Sequence, residues 1–160
     1  MYWGTAVERS QTDKMLRFIH YGIDLDEPLP SGDSPLHVCA KLGHINASQM
    51  LLLYDANIHL RNRLGYTAIQ LAARYSNEYD LLKVLIQFGA DPFERNIYGK
   101  NALDYSREYG GHEMFLSYIV FKKWRLWTFQ RIKSREKQFV RFVWDKCLIS
   151  CELESLSQFI

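Results

Sequence analysis

Cysteine is scarce in this chain and odd in number: Cys39, Cys147 and Cys151 among 160 residues. An odd count argues against a secreted disulfide framework and for a reducing compartment, so the cytoplasm, or the nucleus, is the expected location. The first ten residues hold no basic region followed by an apolar stretch, so no secretory leader is expected. Long apolar runs are missing too. The most apolar stretch, residues 114–121, falls far short of the roughly 20 residues that span a bilayer. Catalytic patterns are also absent. No Ser/His/Asp grouping and no paired carboxylates stand out, and the glycines are not clustered into a phosphate-binding loop. Cys147 and Cys151 lie one helical turn apart, but no second Cys/His pair stands nearby to complete a zinc site, so buried thiols are expected there. These absences leave no enzyme, no metal, no cofactor and no small-molecule substrate to expect.

Charge of one sign is missing from the total and present in the parts. The net of +2 divides into −3 over residues 1–120, +7 over residues 121–141 and −2 over the last nineteen residues. A small total therefore conceals a sharply basic segment.

What the chain has in quantity is repetition. Gly32-Asp-Ser-Pro-Leu-His-Val-Cys-Ala-Lys-Leu-Gly-His44 is followed by weaker copies that begin at Gly65 and Gly99, 33 and then 34 residues further on. A period near 33 is the mark of a stacked repeat array. Each copy holds a turn and a two-turn helix, with a second helix after it. Pro35 sits at a first-turn position, where its missing N–H has no helical partner anyway; Ser34 precedes it as the N-cap. Leu36, Cys39 and Ala40 are the core positions, matched by Ile69, Ala72 and Ala73 and then by Leu103 and Ser106. Gly22 and Gly89 close second helices in the left-handed cap conformation, and Asp55 occupies the same place at a modest steric cost. The extra residue of the 34-residue spacing is expected between the two helices of one repeat, within residues 76–80.

These residues carry a family resemblance. Gly-Asp-Ser-Pro-Leu-His-Val-Cys-Ala-Lys-Leu-Gly-His, followed by Leu-Ile-Gln-Phe-Gly-Ala-Asp, resembles the ankyrin repeat pattern over roughly residues 3 to 120. The match is weaker in the fourth copy, where Asn101-Ala-Leu-Asp104 replaces Thr-Pro-Leu-His. The resemblance implies an all-α repeat solenoid of helix-turn-helix units joined by β-hairpin loops. Its units would be 1–29 (degenerate), 30–62, 63–96 and 97–120 (degenerate), with C-terminal capping helices over 121–160. It also implies a scaffold role for His37, bonded to the backbone of adjacent turns, and a non-catalytic job binding a protein partner, most simply as a monomer.

Binding residues are then expected on the hairpin tips and beside them. Asn62 and Asn96 can fix the turns by Asx-type bonding, which leaves Arg61, Arg63, Tyr66, Arg95, Tyr98 and Lys100 as exposed reach. On the first helices, Lys41, Leu42, Arg74 and Tyr75 occupy equivalent positions along the concave face, with Glu108 and Tyr109 in the fourth copy. Tyr and Arg are enriched among binding hot spots; the alternative for Tyr75 and Tyr109 is packing between repeats. In the tail, Lys122, Lys123, Arg125, Arg131, Lys133 and Arg135 alternate with Trp124, Trp127, Phe129 and Ile132. Such a helix could meet calmodulin or an anionic membrane, and a ubiquitin-ligase component is a further candidate, although the tail lacks a Leu-Pro-rich end. Nucleic acid is disfavoured. The simpler reading, which we prefer for this segment, packs the aromatics on the last repeat and leaves the cations in water.

Overall fold

The computed structural model describes residues 2–76 and 78–109. The basic segment, the expected capping helices, His112, Cys147 and Cys151 lie outside the described residues.

Seven helices are described: α1 (Trp3–Glu8), α2 (Thr12–His20), α3 (Pro35–Leu42), α4 (Ile45–Leu53), α5 (Ala68–Tyr75), α6 (Tyr79–Gln87) and α7 (Ala102–Tyr109). They pair as the hairpins α1/α2, α3/α4 and α5/α6. First helices stack on first helices, α1 on α3, α3 on α5 and α5 on α7, while α2, α4 and α6 form a second row. The fold is an all-α repeat solenoid.

The stack is possible because the first helices carry small residues where they meet. Cys39, Ala40 and Ala72 are fully buried, and Ala73 and Ser106 nearly so. The longer aliphatics fill the space between rows: Met15, Leu51, Leu81, Leu82 and Leu85 are fully buried, and each removes its whole side chain from water. The rise from 33 to 34 residues falls between α5 and α6, where residues 76–78 replace the shorter Gly43-His44 link of the preceding hairpin.

Helix starts follow a shared plan with changed parts. Ser34 is extended (φ −70°, ψ 163°) and Pro35 opens α3, as expected, but the Ser34 hydroxyl bonds the His37 ring, not the helix backbone. At the start of α5, Gln70 Oε1 accepts the Thr67 N–H at 3.1 Å, one half of a capping box. At α7 the exchange is reciprocal: Asp104 Oδ2 accepts from Asn101 N at 3.1 Å and Asn101 Oδ1 from Asp104 N at 2.9 Å. His37, Gln70 and Asp104 thus occupy one slot and each bonds its own N-cap residue. The stops are glycine-like. Gly43 ends α3 with φ +77°, and Asp55 adopts φ +66° where its counterparts are Gly22 and Gly89.

Candidate groove between the tips and the first helices

Three five-residue tips project between hairpins, and the same two backbone bonds close each. Gly32 N donates to Leu29 O and Leu29 N to Asp33 O; residues 62–66 and 96–100 repeat the pair. Glycine is required in the left-handed position of each turn (φ +84°, +74° and +72° at Gly32, Gly65 and Gly99). The Asx bonding expected of the asparagines is present. Asn62 Oδ1 accepts from Leu64 N at 3.1 Å and Tyr66 N at 2.9 Å, and Asn96 Oδ1 from Tyr98 N at 3.0 Å and Lys100 N at 3.1 Å.

The segments that carry the second and third tips are tied from inside to the helix before them. The Nε2 of His37 lies 2.9 Å from Tyr66 O and 3.1 Å from Leu60 O. A carbonyl only accepts, so Nε2 carries the proton and Nδ1 accepts from the Ser34 hydroxyl 2.7 Å away. Burial holds the His37 pKa below its ordinary value, against the opposing pull of its carbonyl partners and Asp33, which keeps the ring neutral. One repeat on, Gln70 Nε2 donates to Glu94 O at 2.7 Å. The histidine is scaffold. So is Cys39, whose thiol burial pushes up to about 12, far from a reactive thiolate. Among the described residues no cluster of His, Cys, Asp or Glu could hold a metal ion, and no helix is long and apolar enough to cross a membrane.

The candidate residues separate into two groups. Arg61 and Arg95 are exposed but engaged. Arg61 pairs with Glu94 on the next tip and donates to Gly65 O and Arg95 O, and Arg95 donates to Gly99 O within its own turn. Lys100 pairs with Glu108, and Leu42 is exposed at the end of α3. The second group faces a single groove of about 450 Å³ lined by Lys41, Arg63, Tyr66, Arg74, Tyr75 and Tyr98, with Asp33 and Leu71 among the other walls. Here one expectation needs correcting. Tyr66 is not exposed reach: only 6 % of it is accessible. Its amide and carbonyl are held by Asn62 and His37, and the ring turns inward against Tyr105 and Tyr98, at centroid distances of 5.7 and 5.9 Å.

At the centre stands Arg74. Its guanidinium carbon lies 5.0 Å from the Tyr75 ring, 5.2 Å from Tyr109 and 5.7 Å from both Tyr66 and Tyr105. Such contacts are worth about 0.5–2 kcal/mol each, more as water is excluded. Its Nη1 donates to the Tyr66 hydroxyl at 2.6 Å. Burial opposes the charge, but the surrounding phenols outweigh it and Arg74 titrates above its ordinary value. Tyr75 and Tyr109 are each half-exposed, with the ring against Arg74. Tyr105 escaped the sequence reading. It stands in the column of Val38 and Leu71, and an aromatic among aliphatics was the available signal.

A stack of two-helix units, tied together by tips locked to the preceding unit, defines a helical repeat protein. The chain belongs to the ankyrin repeat family: a family model for ankyrin repeats in three copies matches residues 4–96. Human Ankyrin repeat domain-containing protein 13B is 29 % identical over 66 residues, 41 % of this chain and 10 % of that protein. Mouse Protein phosphatase 1 regulatory subunit 27 is 32 % identical over 87 residues, 53 % of this chain and 55 % of that one. Human Ankyrin repeat and SOCS box protein 11 is 29 % identical over 99 residues, 62 % of this chain and 30 % of that protein. The matched part of the chain thus spans between about a tenth and just over half of these relatives.

Proposed function

We propose that this chain is a non-catalytic protein-recognition module that takes its partner across the hairpin tips and the face of the first helices. One observation carries the reading. Lys41, Arg63 and Arg74 line a single groove with Tyr66, Tyr75 and Tyr98, and none of the three cations has an ion pair among the described residues. Tyr and Arg in a concave setting are what interface hot spots are made of. The stack that presents them is rigid, so little ordering cost is added when a partner docks. Two of the relatives are named for roles beside other proteins, a phosphatase regulatory subunit and a SOCS box protein, which is in keeping with a binding role here.

The test is affinity capture with mass spectrometry on the full chain, comparing wild type, the groove variant Lys41→Glu/Arg63→Glu and the outer-row control Arg17→Glu. Loss of a partner in the groove variant alone is expected; equal recovery by all three would sink the reading. A second reading rests on the +7 of residues 121–141, which suits recruitment of calmodulin, a ubiquitin-ligase component or an anionic membrane. Deleting residues 121–160 in the same capture separates the two.

A further inference from the structure

The groove is basic on a body that is not. Residues 1–120 carry a net charge of −3, yet three cations converge on this one concavity. The Asp33 carboxylate on its wall is already engaged, its Oδ1 accepting from Asn62 Nδ2 at 2.6 Å. Arg63 makes no hydrogen bond or ion pair among the described residues, and Lys41 only faces the Tyr75 ring at 5.4 Å. In the fourth repeat the corresponding site is self-neutralised, because Glu108 stands where Arg74 stands and pairs with Lys100.

Arg74 adds a second, independent observation. A guanidinium has five N–H donors, and among the described residues only Nη1 has a hydrogen-bond acceptor. Nε is buried with none among the described residues. Tyr66 points the same way. Its hydroxyl accepts from Arg74 and lies 3.4 Å from that of Tyr105, which holds the Arg74 donors in place. Donors held on a preformed tyrosine frame, in a groove where three cations outnumber the one carboxylate on the wall, form an acceptor-seeking site, and charge-assisted bonds to carboxylate are the strong kind. Tyr75 and Tyr98, 50 % and 58 % exposed, flank it with apolar surface.

We infer that the partner segment is an extended acidic peptide whose aspartate or glutamate carboxylate caps Arg74 between Lys41 and Arg63, with neighbouring aromatic or aliphatic side chains against Tyr75 and Tyr98. This deepens the recognition role proposed above and rests on it. Arg74 is the anchor and the two exposed cations steer the approach. The cavity volume, within the usual range of ligand sites, admits a few side chains and not a whole domain.

The experiment selects unmodified random decapeptides displayed on phage against the full chain. It then measures the selected peptides by fluorescence anisotropy with wild type, Arg74→Gln and Arg63→Glu. Selected peptides should carry a carboxylate beside an apolar residue, and each substitution should weaken binding about tenfold or more. Binding to wild type should also fall as salt rises. Arg74→Gln is read only if its urea midpoint matches wild type; Arg63→Glu, whose side chain has no partner to lose, keeps the test open if it does not. Selected peptides that lack carboxylates but are lost on substitution of Tyr98 would overturn the acidic inference and leave the groove as a binding face. Peptides indifferent to every groove substitution would overturn both. Failure to select any peptide, or tighter binding of a single-stranded oligonucleotide than of any selected peptide, would overturn the acidic-peptide inference alone.

Discussion

His37 shows how much one side chain can organise. Its ring joins the start of its own helix, through Ser34, to one carbonyl of the following tip, Tyr66 O, and one just before it, Leu60 O. Replacing it by alanine leaves buried acceptors unmatched, at roughly 1–3 kcal/mol for such a loss. His37→Ala is expected to lower stability by about 2–3 kcal/mol in urea denaturation. His37→Gln should recover much of this, since Gln70 already performs the equivalent job one repeat later. The ring also links stability to pH. Its folded pKa lies below the ordinary 6.5 because burial disfavours the cation. The unfolded chain therefore binds the proton more readily, and the stabilisation is whole above about pH 6.5 and declines as pH falls below it. The urea midpoint should drop on acidification from pH 7 to 5, and drop less in His37→Gln. An unchanged slope in the variant would show that another group sets the acid response.

The element scale is where the repeat's conformational rules can be tested by exchange. Asp55 adopts the left-handed conformation, φ +66°, at the end of a second helix where Gly22 and Gly89 do the same. An L residue pays about 1–2 kcal/mol there and glycine's extra unfolded-state freedom returns about 0.5–1. Asp55→Gly is therefore expected to raise stability by about 0.5 kcal/mol. The reverse exchange is worse: a Cβ on Gly65, φ +74°, would stand 2.8 Å from Ile97 Cγ2 on the next tip. Gly65→Ala should cost about 1–2 kcal/mol by thermal or urea unfolding.

The same scale shows what the sequence makes legible. Helix order, core columns, caps and turn asparagines all recur at fixed offsets, so alignment of the copies to one another sufficed. Direction does not recur in that way. Tyr66 shares its column with Asp33 and Lys100, and no offset says that its ring folds inward while Lys100 reaches Glu108. Likewise Arg95, and Arg61 apart from its pair with Glu94, look free in the sequence because their partners are backbone carbonyls, which leave no trace in residue identity. The groove itself joins residues about twenty to sixty positions apart, Lys41 with Arg63, Arg74 and Tyr98, and only the stacking of first helices brings them together.

For the whole molecule, the stack implies that each unit is stabilised chiefly by its neighbours, so a lesion should spread according to its position. Leu51 in α4 is fully buried and lies in a central unit that contacts units on both sides. Leu51→Ala removes methyl groups and leaves a cavity, at about 2–5 kcal/mol. Val7 in α1 is also fully buried, but its unit has a described neighbour on one side only. Val7→Ala should loosen mainly α1 and α2, with hydrogen exchange accelerated there and nearly unchanged in α5 and α6. Leu51→Ala should accelerate exchange in α2, α4 and α6 alike, because the second row loses its middle member. Tip bridges contribute less to this coupling. The Arg61–Glu94 pair is partly exposed, and Arg61→Ala is expected to cost under about 1 kcal/mol. If Arg61→Ala instead matched Leu51→Ala in magnitude and spread, the tips and not the helix rows would be the main coupling between repeats. A partner docked on the tips would then stiffen the whole stack.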